Sequence, residues 1–133
     1  MKLALAALCS WLAALACIVA SLYAAGETPS RADIFGFGTA SLALTVLMIA
    51  LFYLPGLWLL KRRLAGVKPA AVFPLAAGLA LNAPAFLALA YVAGRTMVAE
   101  EARTFALAAL LAGLTFGLGF VWSESAKLAR TRA

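Results

Sequence analysis

Sixteen charged residues divide this chain into four long stretches that contain no charge at all. The uncharged stretches cover 3–26, 34–60, 69–94 and 104–123, with lengths of 24, 27, 26 and 20 residues. A helix rises about 1.5 Å per residue and the hydrocarbon of a bilayer is about 30 Å thick, so each stretch can cross it. Isolated strands cannot, because their backbone N–H and C=O groups would go unpaired in lipid. The alternating apolar and polar residues of a membrane barrel are absent. Composition agrees: 66% of the residues are hydrophobic, against about 45–50% in soluble domains. A water-soluble domain, a disordered chain and a disulfide-stapled secreted domain are all excluded on this ground.

The pattern predicts one all-α transmembrane domain over 1–133, an up-down bundle of four helices near 3–26, 31–60, 69–94 and 101–127. The connections are short, so consecutive helices should lie side by side and antiparallel.

Lys and Arg are unevenly shared between the two sets of loops. Lys2, Lys61, Arg62, Arg63, Lys68, Lys127, Arg130 and Arg132 fall on one side, and Arg31, Arg95 and Arg103 on the other. The second set also holds Glu27, Asp33, Glu100 and Glu101. The positive-inside rule then places both termini in the cytoplasm. The alanine, leucine and arginine bias suits a bacterial inner membrane, a form of plasma membrane.

The first stretch invites a second reading as a secretory signal. Tyr23-Ala24-Ala25-Gly26 places Ala24 and Gly26 at the small-residue positions of a cleavage site. Its apolar run exceeds the usual signal core of about 7–15 residues, which favours a retained helix. Ala14 stands where a lipoprotein signal ending at Cys17 would carry leucine. Cys9 and Cys17 lie about 12 Å apart along one helix, beyond the roughly 7 Å that a disulfide can bridge. They read as small packing residues.

Small residues recur at helical spacing. Ala6, Ser10 and Ala14 form one stripe on the first helix, and Ala16, Ala20 and Ala24 another. Gly36, Ala40 and Ala43 give the second helix a small face, and Ser30 to Asp33 offers it a capping box. The fourth helix carries Ala109, Gly113 and Gly117, with GxxxG from Gly113 to Gly117. Such spacing lets helix backbones approach closely in lipid. Pro55 and Pro84 are expected to kink the second and third helices, since proline removes a backbone donor and crowds the preceding turn. Pro69 sits where a helix start tolerates it.

Lys61, Arg62, Arg63 and Lys68 form the one dense charge cluster. It reads as a topology anchor, and the sharper alternative is a contact for anionic lipid head groups or an acidic partner. No nucleic-acid recognition motif accompanies it. Trp58 and Trp122 lie where interfacial aromatic residues belong.

Each helix centre can be estimated from its charged borders. Thr45, Asn82 and Thr115 all fall within about 3 Å of those centres, so three helices place a polar group in one midplane layer. Asn82 in hydrocarbon must find partners. Thr45, Thr115 and the Ala80 carbonyl freed by Pro84 are the candidates. The layer reads as a link between helices, and the alternative is the lining of a pathway for a small molecule or ion.

The chain has no His, two Cys and no acidic residue within the apolar stretches. These absences leave no evident nucleophile-base pair, metal cluster or membrane proton relay. Glu100 and Glu101 sit at a helix N-terminus, where negative charge is stabilising. Gly36-Phe37-Gly38 enters an apolar span rather than following a strand, so it is no phosphate loop. The expected function is therefore non-catalytic and needs no cofactor. The protein would act by helix packing in the lipid bilayer, as an accessory or assembly subunit beside a membrane protein partner, or as a homo-oligomer. The alternative is a small transporter or pore-forming subunit built around Asn82.

Overall fold

A computed structural model describes residues 1–64, 69–94 and 99–131. Those residues form α1 (Lys2–Ala24), α2 (Arg31–Met48), α3 (Leu54–Arg63), α4 (Pro69–Leu75), α5 (Ala83–Ala93) and α6 (Ala99–Thr131). A π-helical turn at Ile49–Tyr53 joins α2 to α3, and a second at Ala76–Ala80 follows α4. Four spans result, each long and apolar enough to cross a membrane: α1, α2 with α3, α4 with α5, and α6. The protein is an all-α four-helix bundle.

Local chemistry sets the ends of the spans. Gly26 has φ +80°, a value that favours glycine. The Glu27 N–H donates to the Leu22 carbonyl at 3.0 Å, and the Gly26 N–H to that of Tyr23 at 3.0 Å. This is the paired closure of a helix ending on a left-handed glycine. It stops α1 at Ala24, two residues before the charge pattern suggests, and gives Gly26 a structural role. At the start of α2, the Asp33 N–H donates to Ser30 Oγ at 3.2 Å, and the Ser30 N–H to the Asp33 carboxylate at 2.9 Å. The reciprocal box satisfies two of the four orphan donors of the helix start and so fixes where α2 begins.

The first and fourth spans form an extensive pair. The Ala6, Ser10 and Ala14 stripe of α1 is buried. Gly119 of α6 packs so tightly on Ala6 that a methyl group there would overlap it. Ser10 Oγ donates to the Ala112 carbonyl at 2.7 Å, wholly enclosed. Ser10→Ala is expected to cost about 1 kcal/mol, the net value of one such bond. Thermal unfolding in detergent would read it, and an unchanged midpoint would remove that bond from the account of the pair.

The sixth helix is the hub, touching α1, α4, the second π turn and α5. The second and third spans meet chiefly where α3 faces α4 and the second π turn. Sequence neighbours are therefore unequal: the second and third spans diverge on the α2 and α5 side. The cause is side-chain volume. Toward α3, the core is built from Met48, Ile49, Tyr53, Leu57, Phe73, Phe116 and Phe120. Tyr53 packs on Phe116 with ring centres 5.6 Å apart, and Phe73 on Phe120 at 5.8 Å. Toward α5, the buried cluster is Ala14, Ile18, Ala108 and Ala112, too small to fill the same width.

Lys2 lies over the Trp122 ring at 4.7 Å, and Lys61 pairs with Glu124. These contacts gather the start of α1, the end of α3 and the later part of α6 at one end of the bundle, the terminal end. The opposite end, where α1 closes and α2 begins, is the loop end.

Candidate functional site

Asn82 is the centre of the polar structure inside this bundle. The third span does not run as one helix through its proline, as a simple kink would have it. It breaks: a π turn ends at Ala80, Leu81 and Asn82 form a turn, and Pro84 occupies the first turn of α5. The Leu81 N–H reaches the Ala76 carbonyl at 2.9 Å, the five-residue bond of a π turn. The second span treats Pro55 the same way. A π turn precedes it, the Leu54 N–H bonds to the Ile49 carbonyl, and Pro55 falls in the first turn of α3. Proline at a helix start loses no bond that the helix could have made.

These two irregular turns face each other and bring Tyr53 to Asn82. The Tyr53 hydroxyl donates to Asn82 Oδ1 at 2.5 Å. Asn82 Nδ2 donates to the carbonyls of Ala109 at 2.8 Å, Ala77 at 3.1 Å and Gly78 at 3.2 Å. Both residues are enclosed, with Tyr53 1% and Asn82 0% exposed. One amide thus closes the broken end of its own helix and ties the second, third and fourth spans together.

Gly113 makes this possible. A Cβ at that position would stand 2.4 Å from the Ala77 carbonyl oxygen and 2.6 Å from Asn82 Nδ2. Gly117 lies one turn further, where a Cβ would stand 2.5 Å from Pro74 Cα. The GxxxG face of α6 is thus turned to the third span at van der Waals contact.

The structure regroups the midplane residues. Thr45 of α2 is buried and does not bond to Asn82. Thr115 Oγ1 donates to the Leu111 carbonyl of its own helix at 2.7 Å. Thr115 points away from Asn82. Two residues on a helix turn about 200°, so Gly113 on the third span sends Thr115 the other way. The Ala80 carbonyl is not the partner either. The π turn shifts the unpaired carbonyls back to Ala77 and Gly78, where Asn82 reaches them. Tyr53 is the residue that depth arithmetic passes over, since it lies well beyond the centre of its span. Side chains lean toward the helix N-terminus, which carries its hydroxyl back to the midplane.

Between the midplane and the loop end, all four spans enclose a cavity of about 490 Å³. Its walls are almost wholly apolar and rich in alanine, including Ala14, Ala40, Ala88 and Ala108. Tyr53 and Asn82 stand at its floor, with their polar groups already paired.

The basic cluster is partly committed within the chain. Lys61 pairs with Glu124, and the Arg62 guanidinium stacks on the Trp58 ring at 3.7 Å. Arg63 is exposed, and Lys68 lies outside the described residues. Cys9 and Cys17 are free thiols. Among the described residues, no three His, Cys, Asp or Glu side chains gather into a metal-ligand group. Compared with known proteins, the chain matches no family model, no curated sequence and no solved structure.

Proposed function

We propose that this chain is a non-catalytic membrane protein that works by helix packing, as an accessory or assembly subunit of a membrane complex or as a homo-oligomer. The observation that carries the reading is the unequal use of its small-residue faces. The stripes on α1 (Ala6, Ser10, Ala14) and α6 (Gly113, Gly117) are consumed inside the bundle. The stripe on α2 is not. Gly36 and Ala43 are exposed and lie outside the cavity that Ala40 edges, and a Cβ at Gly36 would meet nothing within 4 Å. A small face turned to lipid is the surface on which a second helix can lie closely.

Gentle detergent extraction from the native membrane followed by native mass spectrometry tests this. A reproducible second protein, or a second copy, is the expected companion. Gly36→Leu should remove it with the fold intact, because the position is open. A companion equally abundant in wild type and Gly36→Leu would count against this face as the docking surface. A wild-type chain that is always alone would count against the function.

The positive-inside pattern supports cytoplasmic termini in a bacterial inner membrane. Arg63, exposed at the terminal end, is the described member of the basic cluster that we assign to an anionic head group or partner. A transporter or pore around Asn82, Thr45 and Thr115 has less to stand on. Every polar group of the Asn82 side chain is engaged within the chain, and Thr115 bonds to its own helix.

A further inference from the structure

We propose that the alanine-walled cavity at the loop end is a lipid site, taking an acyl chain of a phospholipid from the leaflet on that side. Three observations select this occupant. The first is chemistry. The lining is almost wholly apolar, and the amide and phenol at the floor are paired with each other and with backbone. The wall hydroxyls are those of Ser41, which donates to the Gly38 carbonyl, and Thr45, so a polar or charged ligand would find few partners there, while hydrocarbon needs none.

The second is length. On α5 the lining runs from Ala85 to Val92 and on α2 from Phe37 to Met48, or about 10 and 16 Å of helix. Half of a bilayer's hydrocarbon is about 15 Å. The cavity thus spans one leaflet. Its floor is the midplane, closed by Tyr53 and Asn82, with Leu57 and Phe116 packed solidly in the half beyond. A partner's transmembrane helix crosses both leaflets, and the packed residues directly beyond this floor give it no continuous bed; the pocket of about 320 Å³ at the terminal end is lined by α1, α3 and α6 instead.

The third is access. The second and third spans diverge here, and the lining residues Leu44 and Val92 remain 53% and 41% exposed. The opening therefore faces sideways at the depth of lipid tails. In a bilayer such a gap is filled from the side by the commonest apolar chain present, because an empty one forfeits dispersion contacts on every wall.

The test uses the full chain in phosphatidylcholine liposomes with a trace of phosphatidylcholine carrying a nitroxide near the end of one acyl chain. Electron spin resonance should show a motionally restricted population that exchanges slowly with bulk lipid. Ala88→Phe fills the cavity from α5 at an exposed position. It should weaken retention about tenfold, equivalent to about 1.4 kcal/mol. Ala88→Leu should do so in part, and serves if the larger ring disturbs folding as seen by circular dichroism. Leu87→Phe, on the same helix but outside the cavity, should leave the restricted signal unchanged. The proposal is overturned if wild type holds no restricted lipid, or if folded Ala88→Phe and Ala88→Leu retain as much as wild type. Loss in Leu87→Phe equal to that in Ala88→Phe also overturns it, since ordinary boundary lipid is then being read. So does efficient crosslinking of two copies through Ala88→Cys, in a Cys9→Ala and Cys17→Ala background, because a second chain would then occupy the gap.

Discussion

Asn82→Leu is expected to destabilise the solubilised protein by about 2–3 kcal/mol. Leucine has the branched shape of asparagine, with bulkier ends, and is at home in hydrocarbon, so most of the loss comes from what it strands. The Tyr53 hydroxyl would keep its enclosure and lose its acceptor, and the Ala77, Gly78 and Ala109 carbonyls would lose a donor. A stranded buried polar group costs about 1–3 kcal/mol. Single polar contacts between membrane helices average only about 0.6 kcal/mol, so the expected size rests on one side chain serving several partners. A double-mutant cycle separates these effects. Tyr53→Phe removes the donor that Asn82→Leu strands, so the pair should cost less than the sum of the singles by about 1 kcal/mol. The readout is unfolding of detergent-solubilised protein followed by circular dichroism. Strictly additive losses would mean that the Tyr53–Asn82 bond carries no stability. An unchanged midpoint in Asn82→Leu would end the view that this amide links the spans.

Gly113→Ala should be at least as damaging, although it adds one methyl group. The new Cβ would fall 2.4 Å from the Ala77 carbonyl oxygen and 2.6 Å from Asn82 Nδ2. The first of these atoms is backbone, so relief requires the third span to move away from α6 as a body. Overpacking of this kind costs about 1–3 kcal/mol. The same shift lengthens the Asn82 to Ala109 hydrogen bond, worth about 1 kcal/mol more. A total near 3 kcal/mol is expected. Gly36→Ala is the matched control. Nothing lies within 4 Å of its Cβ position, so the change should stay within about 0.5 kcal/mol. Equal midpoints for the two variants would show that the close approach at Gly113 does not bear on stability.

The two glycines show how far a sequence can be read. Both lie in small-residue stripes with the spacing that permits close helix contact. Nothing in their neighbours says that Gly113 is consumed inside the chain while Gly36 is left open. The same holds for the two stripes of α1: Ala6, Ser10 and Ala14 are covered by α6, while Ala16, Ala20 and Ala24 remain exposed. Spacing reports that a face is small. It does not report which face meets a partner.

The midplane residues make the point in a second direction. The number of helices, their approximate limits and the approximate depth of each backbone position follow from where charges stop and start, because lipid forbids unpaired charge and unpaired backbone within a fixed thickness. That much was determined by the sequence alone. It placed Asn82 at mid-depth and identified its need for partners. The partners themselves were decided by rotation about each helix axis and by the π turns before Pro55 and Pro84. Those turns moved the free carbonyls to Ala77 and Gly78 and brought Tyr53 across, while Thr115 pointed away at the same depth. The bilayer thickness constrains position along the membrane normal and is indifferent to direction around it. Direction is set only when side chains of unequal volume pack against one another. The larger, alanine-lined cavity toward the loop end was decided in the same way.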